Sequence, residues 1–62
     1  MAMRKGTKVR YIGDQYDYAK GHVFTVQKKV YGCIELYFPE KYPDGSIRRR
    51  YVSMWSGNFK EV

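Results

Sequence analysis

Arg48-Arg49-Arg50 is the densest concentration of chemistry in this chain. A guanidinium stays charged and presents a planar fork of donors, suited to bidentate contact with phosphate oxygens and to stacking on flat rings. On a strand, Arg48 and Arg50 point one way and Arg49 the other. Arg49 falls in phase with Ile47 and Tyr51, so the alternation predicts Arg48 and Arg50 as an exposed pair, with Arg49 either packed by its stem at the rim of a core or re-aimed by a bulge. Lys28-Lys29, Lys41, Lys8 and Arg10 add positive charge, and Tyr31, Tyr37 and Tyr42 are interleaved with these cations. Tyr37 alternates against Leu36 and Phe38, which places it in solvent. Bases stacking on exposed aromatics gain about 1–3 kcal/mol each, and cations track the phosphates between them. The candidate nucleic-acid-binding residues are therefore Lys28, Lys29, Tyr37, Lys41, Arg48 and Arg50. The plain structural alternative is a solvated face whose arginines keep a sheet edge from pairing.

Tyr16, Tyr18 and Trp55 form a second group, of the kind that lines a groove for polyproline segments. They are a possible protein-binding groove, although Trp55 is also placed to plug an end of the fold. Catalysis has little to stand on. His22 has no Asp or Ser partner signalled nearby, and a Cys33–His22 pair would need contact and an orienting third group. One Cys and one His do not make a tetrahedral metal site without unusual carboxylate help. The expectation is no enzyme, no catalytic residues, no metal and no cofactor.

Twelve Lys and Arg stand against six Asp and Glu, a net charge of +6. That balance favours a polyanionic partner: DNA, RNA or an acidic protein surface. The single cysteine excludes an intramolecular disulfide and fits a reducing compartment. No apolar run approaches the roughly 18 residues of a membrane span, and no secretory leader is evident, so a cytoplasmic protein with no membrane partner is expected.

Sixty-two residues make one small domain, and a chain of this size buries only about 60% of its unfolded surface. Aromatic residues make up 18% of the chain, enough large side chains to build a core from few positions. Residues 1–4 read as a disordered terminus and 5–62 as the domain. Lys8 to Ile12 is a first strand, ended by Gly13-Asp14. A connection runs to Gly21; Gly13 and Gly21 bound it, where positive φ is expected. The longest β-like run, Gly21 to Val30 followed by Tyr31 to Phe38, reads as a hairpin turning at Tyr31-Gly32. Phe24, Val26, Lys28 and Val30 share one side of its first arm, and Ile34, Leu36 and Phe38 one side of the second. Pro43-Asp44-Gly45 is a turn. Ile47 to Val52 is a fourth strand, Ser53 to Asn58 a single helical or 3₁₀ turn, and Phe59 to Val62 a short closing strand. The expected core is Val9, Phe24, Val26, Ile34, Leu36, Tyr51 and Phe59.

Five short strands punctuated about every 8–12 residues predict an all-β barrel or sandwich. Their order resembles a small five-stranded SH3-like barrel with one short 3₁₀ turn before the last strand. Lys5-Gly6-x-x-Val9-Arg10-Tyr11-Ile12-Gly13, Lys20-Gly21-x-x-Phe24-x-Val26, and Tyr51-Val52-Ser53 followed by Asn58-Phe59-x-x-Val62 resemble the corresponding strands of KOW-like and related bacterial and phage SH3-like domains. The resemblance covers most of residues 5–62. It rests on structural glycines and alternating core positions, which speak to fold more than to function. The charge and the interleaved tyrosines point to a small, basic, non-catalytic binding module for nucleic acid or a ribonucleoprotein. The alternative is a protein-binding adaptor or host-factor inhibitor of the kind that phages and mobile elements encode.

Overall fold

Val26 and Gln27 mark the point where one extended segment passes from one sheet to another. Strand β2 (Val23–Thr25) lies before this point and β3 (Lys28–Val30) after it. The Val26 amide donates to the Thr7 carbonyl at 2.9 Å, and the next amide, Gln27, donates to the Glu35 carbonyl at 2.8 Å. The single strand expected over Gly21 to Val30 is thus two. The bend also ends the simple alternation: Phe24 and Val26 are buried, whereas Lys28 and Val30 are exposed.

The computed structural model describes residues 3–62. The remaining strands are β1 (Lys8–Tyr11), β4 (Cys33–Lys41), β5 (Ile47–Trp55) and β6 (Phe59–Glu61). They form two antiparallel three-stranded sheets, ordered β2-β1-β6 and β3-β4-β5. Among the described residues the architecture is all-β with six strands, one more than the alternation predicts, because the bend splits one of them. Met1 and Ala2, the first half of the segment expected to be disordered, lie outside the described residues. Met3 packs against the core, and Arg4 and Thr7 close a turn through reciprocal hydrogen bonds.

The core is largely aromatic. Tyr11, Phe24 and Phe59 come from one sheet and Phe38 from the other. Tyr11 meets Phe38 edge-on at 5.2 Å between centroids and Phe59 at 5.4 Å. Tilted and edge-to-face contacts of this kind add about 0.5–1.5 kcal/mol beyond the area they bury. Val9, Val26, Ile34, Leu36 and Ala19 complete the buried cluster. Six of the seven expected core residues are there. Tyr51 is not: it is 46% exposed.

The cause is the phase of β5, which runs to Trp55, past the expected end at Val52. Leu36 pairs with Val52 and Ile34 with Met54, so the inward phase of β5 is the even one. Met54 lies in the part of the strand that was expected to be a helical turn. Its apolar side chain, together with Val52, sets the phase in favour of 48, 50, 52 and 54. The 3₁₀ turn is shorter than expected, Ser56–Asn58. A second 3₁₀ turn, Asp17–Ala19, lies in the connection between β1 and β2 and buries Ala19.

Of the two glycines bounding that connection, Gly21 has the expected positive φ, 84°. Gly13 does not. It is required for a different reason: a Cβ there would meet the Tyr11 ring, 2.6 Å from its hydroxyl oxygen. Among the described residues no helix is long and apolar enough to cross a membrane.

Candidate nucleic-acid interface

Strands β4 and β5 form a nine-residue hairpin whose turn is built by Asp44, Gly45 and Ser46. Asp44 accepts from both the Ser46 amide and the Ser46 hydroxyl, which holds its carboxyl below the ordinary value. Gly45 supplies the positive φ. In the register this turn enforces, Cys33, Glu35, Tyr37, Pro39 and Lys41 face Trp55, Ser53, Tyr51, Arg49 and Ile47. These ten residues lie on the side of the sheet away from Ile34 and Leu36. Strand β3 extends the face with Lys28 opposite Glu35 and Val30 opposite Cys33.

An aromatic pair lies at the centre of this outward face. Tyr37 and Tyr51 meet at 5.1 Å, their planes inclined by 61°. The Tyr51 hydroxyl donates to Glu35 Oε1 at 2.7 Å. That hydrogen bond is the largest of the influences that raise the Tyr51 phenol above its ordinary value. It also occupies the carboxylate nearest the pair. Lys28, Arg49 and Lys41 follow one another along the same face, and Trp55, 65% exposed, lies at its far end. Tyr37 and Arg49 also border a shallow niche of about 140 Å³ with Val23, Phe24, Thr25 and Gln27.

Lys28, Tyr37 and Lys41 of the expected set are brought together here. Arg48 and Arg50 are exposed, as expected, but on the opposite face of the hairpin, and their assignment to the outer face is corrected. They share the phase of Val52 and Met54, with Arg50 opposite the core residue Phe38 and Arg48 opposite Glu40. The Arg50 guanidinium pairs with Glu40 at 3.2 Å, and Arg48 lies 4.9 Å from the centroid of the Tyr42 ring. Lys29, opposite Ile34, also leaves the set. The residues that sequence reasoning missed are Arg49 and Tyr51. The apolar pair Val52 and Met54 was the signal that could have found them.

Tyr16 and Tyr18 meet edge-on at 6.0 Å beside Phe38. With Glu40, Arg50, Val52 and Met54 they line a cleft of about 320 Å³ on the inner side of the hairpin. Trp55 is absent from this cleft; it faces the opposite side, with its indole over Gly57. The expected triad is therefore reduced to its two tyrosines, and Trp55 does not plug the core. His22 is exposed, and Cys33 is half-buried on the outward face. No group of three or more His, Cys, Asp or Glu converges as a metal site among the described residues.

No family model, curated protein or solved structure matches the chain.

Proposed function

We propose that this chain is a small, basic, non-catalytic module that binds nucleic acid, free or within a ribonucleoprotein, through the outward face of β3-β4-β5. The observation that carries the reading is the exposed Tyr37–Tyr51 pair, flanked on one sheet face by Lys28, Arg49 and Lys41. Stacking platforms of this kind accept any base, because every base has a π-face. The charges would track the phosphates, so the surface suits single strands with little sequence preference. The order of pairing supports an SH3-like barrel as the host fold: β1 pairs with both β2 and the last strand, β2 and β3 belong to one bent segment, and a 3₁₀ turn precedes β6.

Titration of the protein with single-stranded and duplex oligonucleotides at two salt concentrations tests the reading. Three phosphate contacts on a single strand give a slope of log K against log salt of about −2. Absence of binding at low salt, or a slope near zero, rejects it.

The cleft beneath Tyr16 and Tyr18 supports a second reading, an adaptor for a protein segment. Aromatic walls with the Arg50–Glu40 pair at the rim suit an extended peptide. In that case Tyr16→Ala would abolish partner binding, and Tyr37→Ala would leave it intact.

A further inference from the structure

Strand β5 is the last in its sheet, and one side of it is paired with no other described strand. The parity of its hydrogen bonds is set at both ends. The Ser56 amide donates to the Gly32 carbonyl, and the Tyr42 amide to the Ser46 carbonyl. The even-numbered residues of β5 therefore bond to β4, since alternate residues of a strand turn their backbone groups to opposite sides. Ile47, Arg49, Tyr51, Ser53 and Trp55 direct theirs outward along a nine-residue edge. All five are exposed.

We infer that this edge pairs with the same edge of a second copy of the chain, antiparallel and centred on Tyr51, to form a two-fold dimer with one continuous six-stranded sheet. The distribution of side chains selects that partner and that register. All three arginines of β5 lie in its first half, and none lies between Tyr51 and Trp55. Antiparallel pairing about Tyr51 lays the charged half of one strand along the uncharged half of the other. Arg49 then faces Ser53 of the second copy, Arg50 faces Val52, Arg48 faces Met54, and Ile47 faces Trp55. No two like charges stand directly opposite. The nearest, the two copies of Arg50, are diagonal neighbours at about 7–8 Å, and each already pairs with Glu40.

Other registers are worse. Centring the pair on Arg50 sets that residue against its own copy. Centring it on Val52 leaves Ile47 and Arg48 beyond the end of the facing strand. Arginines usually discourage edge pairing; confined to half of the edge, they select one alignment of it. The full-length register also brings the two Tyr51 backbones to about 5.5 Å apart. It joins both outward faces, with the tyrosines in the order 37, 51, 51, 37 across the sheet. The inference stands independently of any nucleic-acid binding.

The test is sedimentation equilibrium of the protein without nucleic acid, over a concentration range reaching about 1 mM, for the parent and three variants at Ser53. This side chain is exposed and its amide faces the open edge, so each substitution leaves the β4 ladder intact. Ser53→Glu opposes Arg49 of the other copy twice per dimer and is expected to tighten the dimer about 2- to 25-fold. Ser53→Arg is expected to weaken it by a similar factor. Ser53→Pro removes two edge hydrogen bonds and is expected to weaken it about tenfold or more. Circular dichroism confirms that each variant is folded before its dissociation constant is compared. A parent that stays monomeric throughout the range overturns the inference, as does a dimer whose affinity does not change in opposite directions for Glu and Arg.

Discussion

Tyr37 and Tyr51 stand directly opposite each other on β4 and β5, with ring centroids 5.1 Å apart, and Tyr51 hydrogen-bonds Glu35 diagonally across the same two strands. The pair lies on the solvent side of the sheet, where hydrophobic burial gives it little reason to exist. If bases stack there, Tyr37→Ala and Tyr51→Ala should each weaken oligonucleotide binding by about 1–3 kcal/mol. Tyr51→Phe should retain most of the affinity, because it keeps the ring and loses only the bond to Glu35. Fluorescence titration of the three variants checks this. Equal losses for Phe and Ala would assign the effect to the hydroxyl.

The three arginines should separate by face. Arg49→Ala should lower the salt slope of single-strand binding by about 0.7. Replacing Arg48 and Arg50 together should change the slope less, because Arg50 is engaged by Glu40 and both lie on the inner phase. A larger effect from the double variant than from Arg49→Ala would move the binding surface to the other side of the hairpin.

The Tyr51–Glu35 hydrogen bond has a consequence at alkaline pH. It raises the Tyr51 phenol above its ordinary value, so the folded state holds that proton more tightly than the unfolded state does. The resulting stabilisation is fully present below the unfolded value and is lost as pH rises through the folded one. Thermal melts from about pH 8 to 12 should show a decline that begins near pH 10 and is shallower in Tyr51→Phe. Parallel curves for the two proteins would mean that the bond is not maintained in solution.

Gly13 and Gly57 both lie under aromatic rings, yet their alanine variants should differ. The Tyr11 ring over Gly13 is buried between Phe38 and Phe59 and cannot yield, so Gly13→Ala should cost about 1–3 kcal/mol, as overpacking does. The Trp55 indole over Gly57 is exposed and can swing away. Gly57→Ala should therefore shift the tryptophan emission while changing the melting temperature little. Urea denaturation followed by fluorescence reads both effects at once.

Leu36 is fully buried between the sheets, and Leu36→Ala should cost about 2–5 kcal/mol. At the usual 0.05–0.15 kcal/mol per residue, the whole domain has about 3–9 kcal/mol of stability. The variant should lose a large share of that stability and melt at a clearly lower temperature, whereas Ile12→Ala, at an exposed position, should stay within about 0.5 kcal/mol of the parent. A cooperative melt for Leu36→Ala with an unchanged midpoint would contradict the packing described here.

The sequence by itself determined the β class, the two turns at Gly32 and Gly45, the aromatic core and the excess of positive charge. These are local properties: alternation, φ > 0 at glycine, and composition act within a few residues of where they are read. Only the tertiary structure decided which face of β5 is inside. Over the expected strand, Ile47 to Val52, the odd phase with Ile47 and Tyr51 is the more apolar, and Met54 lies beyond that strand's expected end, so alternation there does not pick the true inner face. Pairing with β4 does, because Leu36 and Ile34 require Val52 and Met54 beside them, and that choice moves Arg49 and Tyr51 outward. The bend at Val26-Gln27 was hidden for the same reason. Nothing in the local pattern marks it, since its cause is the need of one segment to hydrogen-bond Thr7 in one sheet and Glu35 in the other.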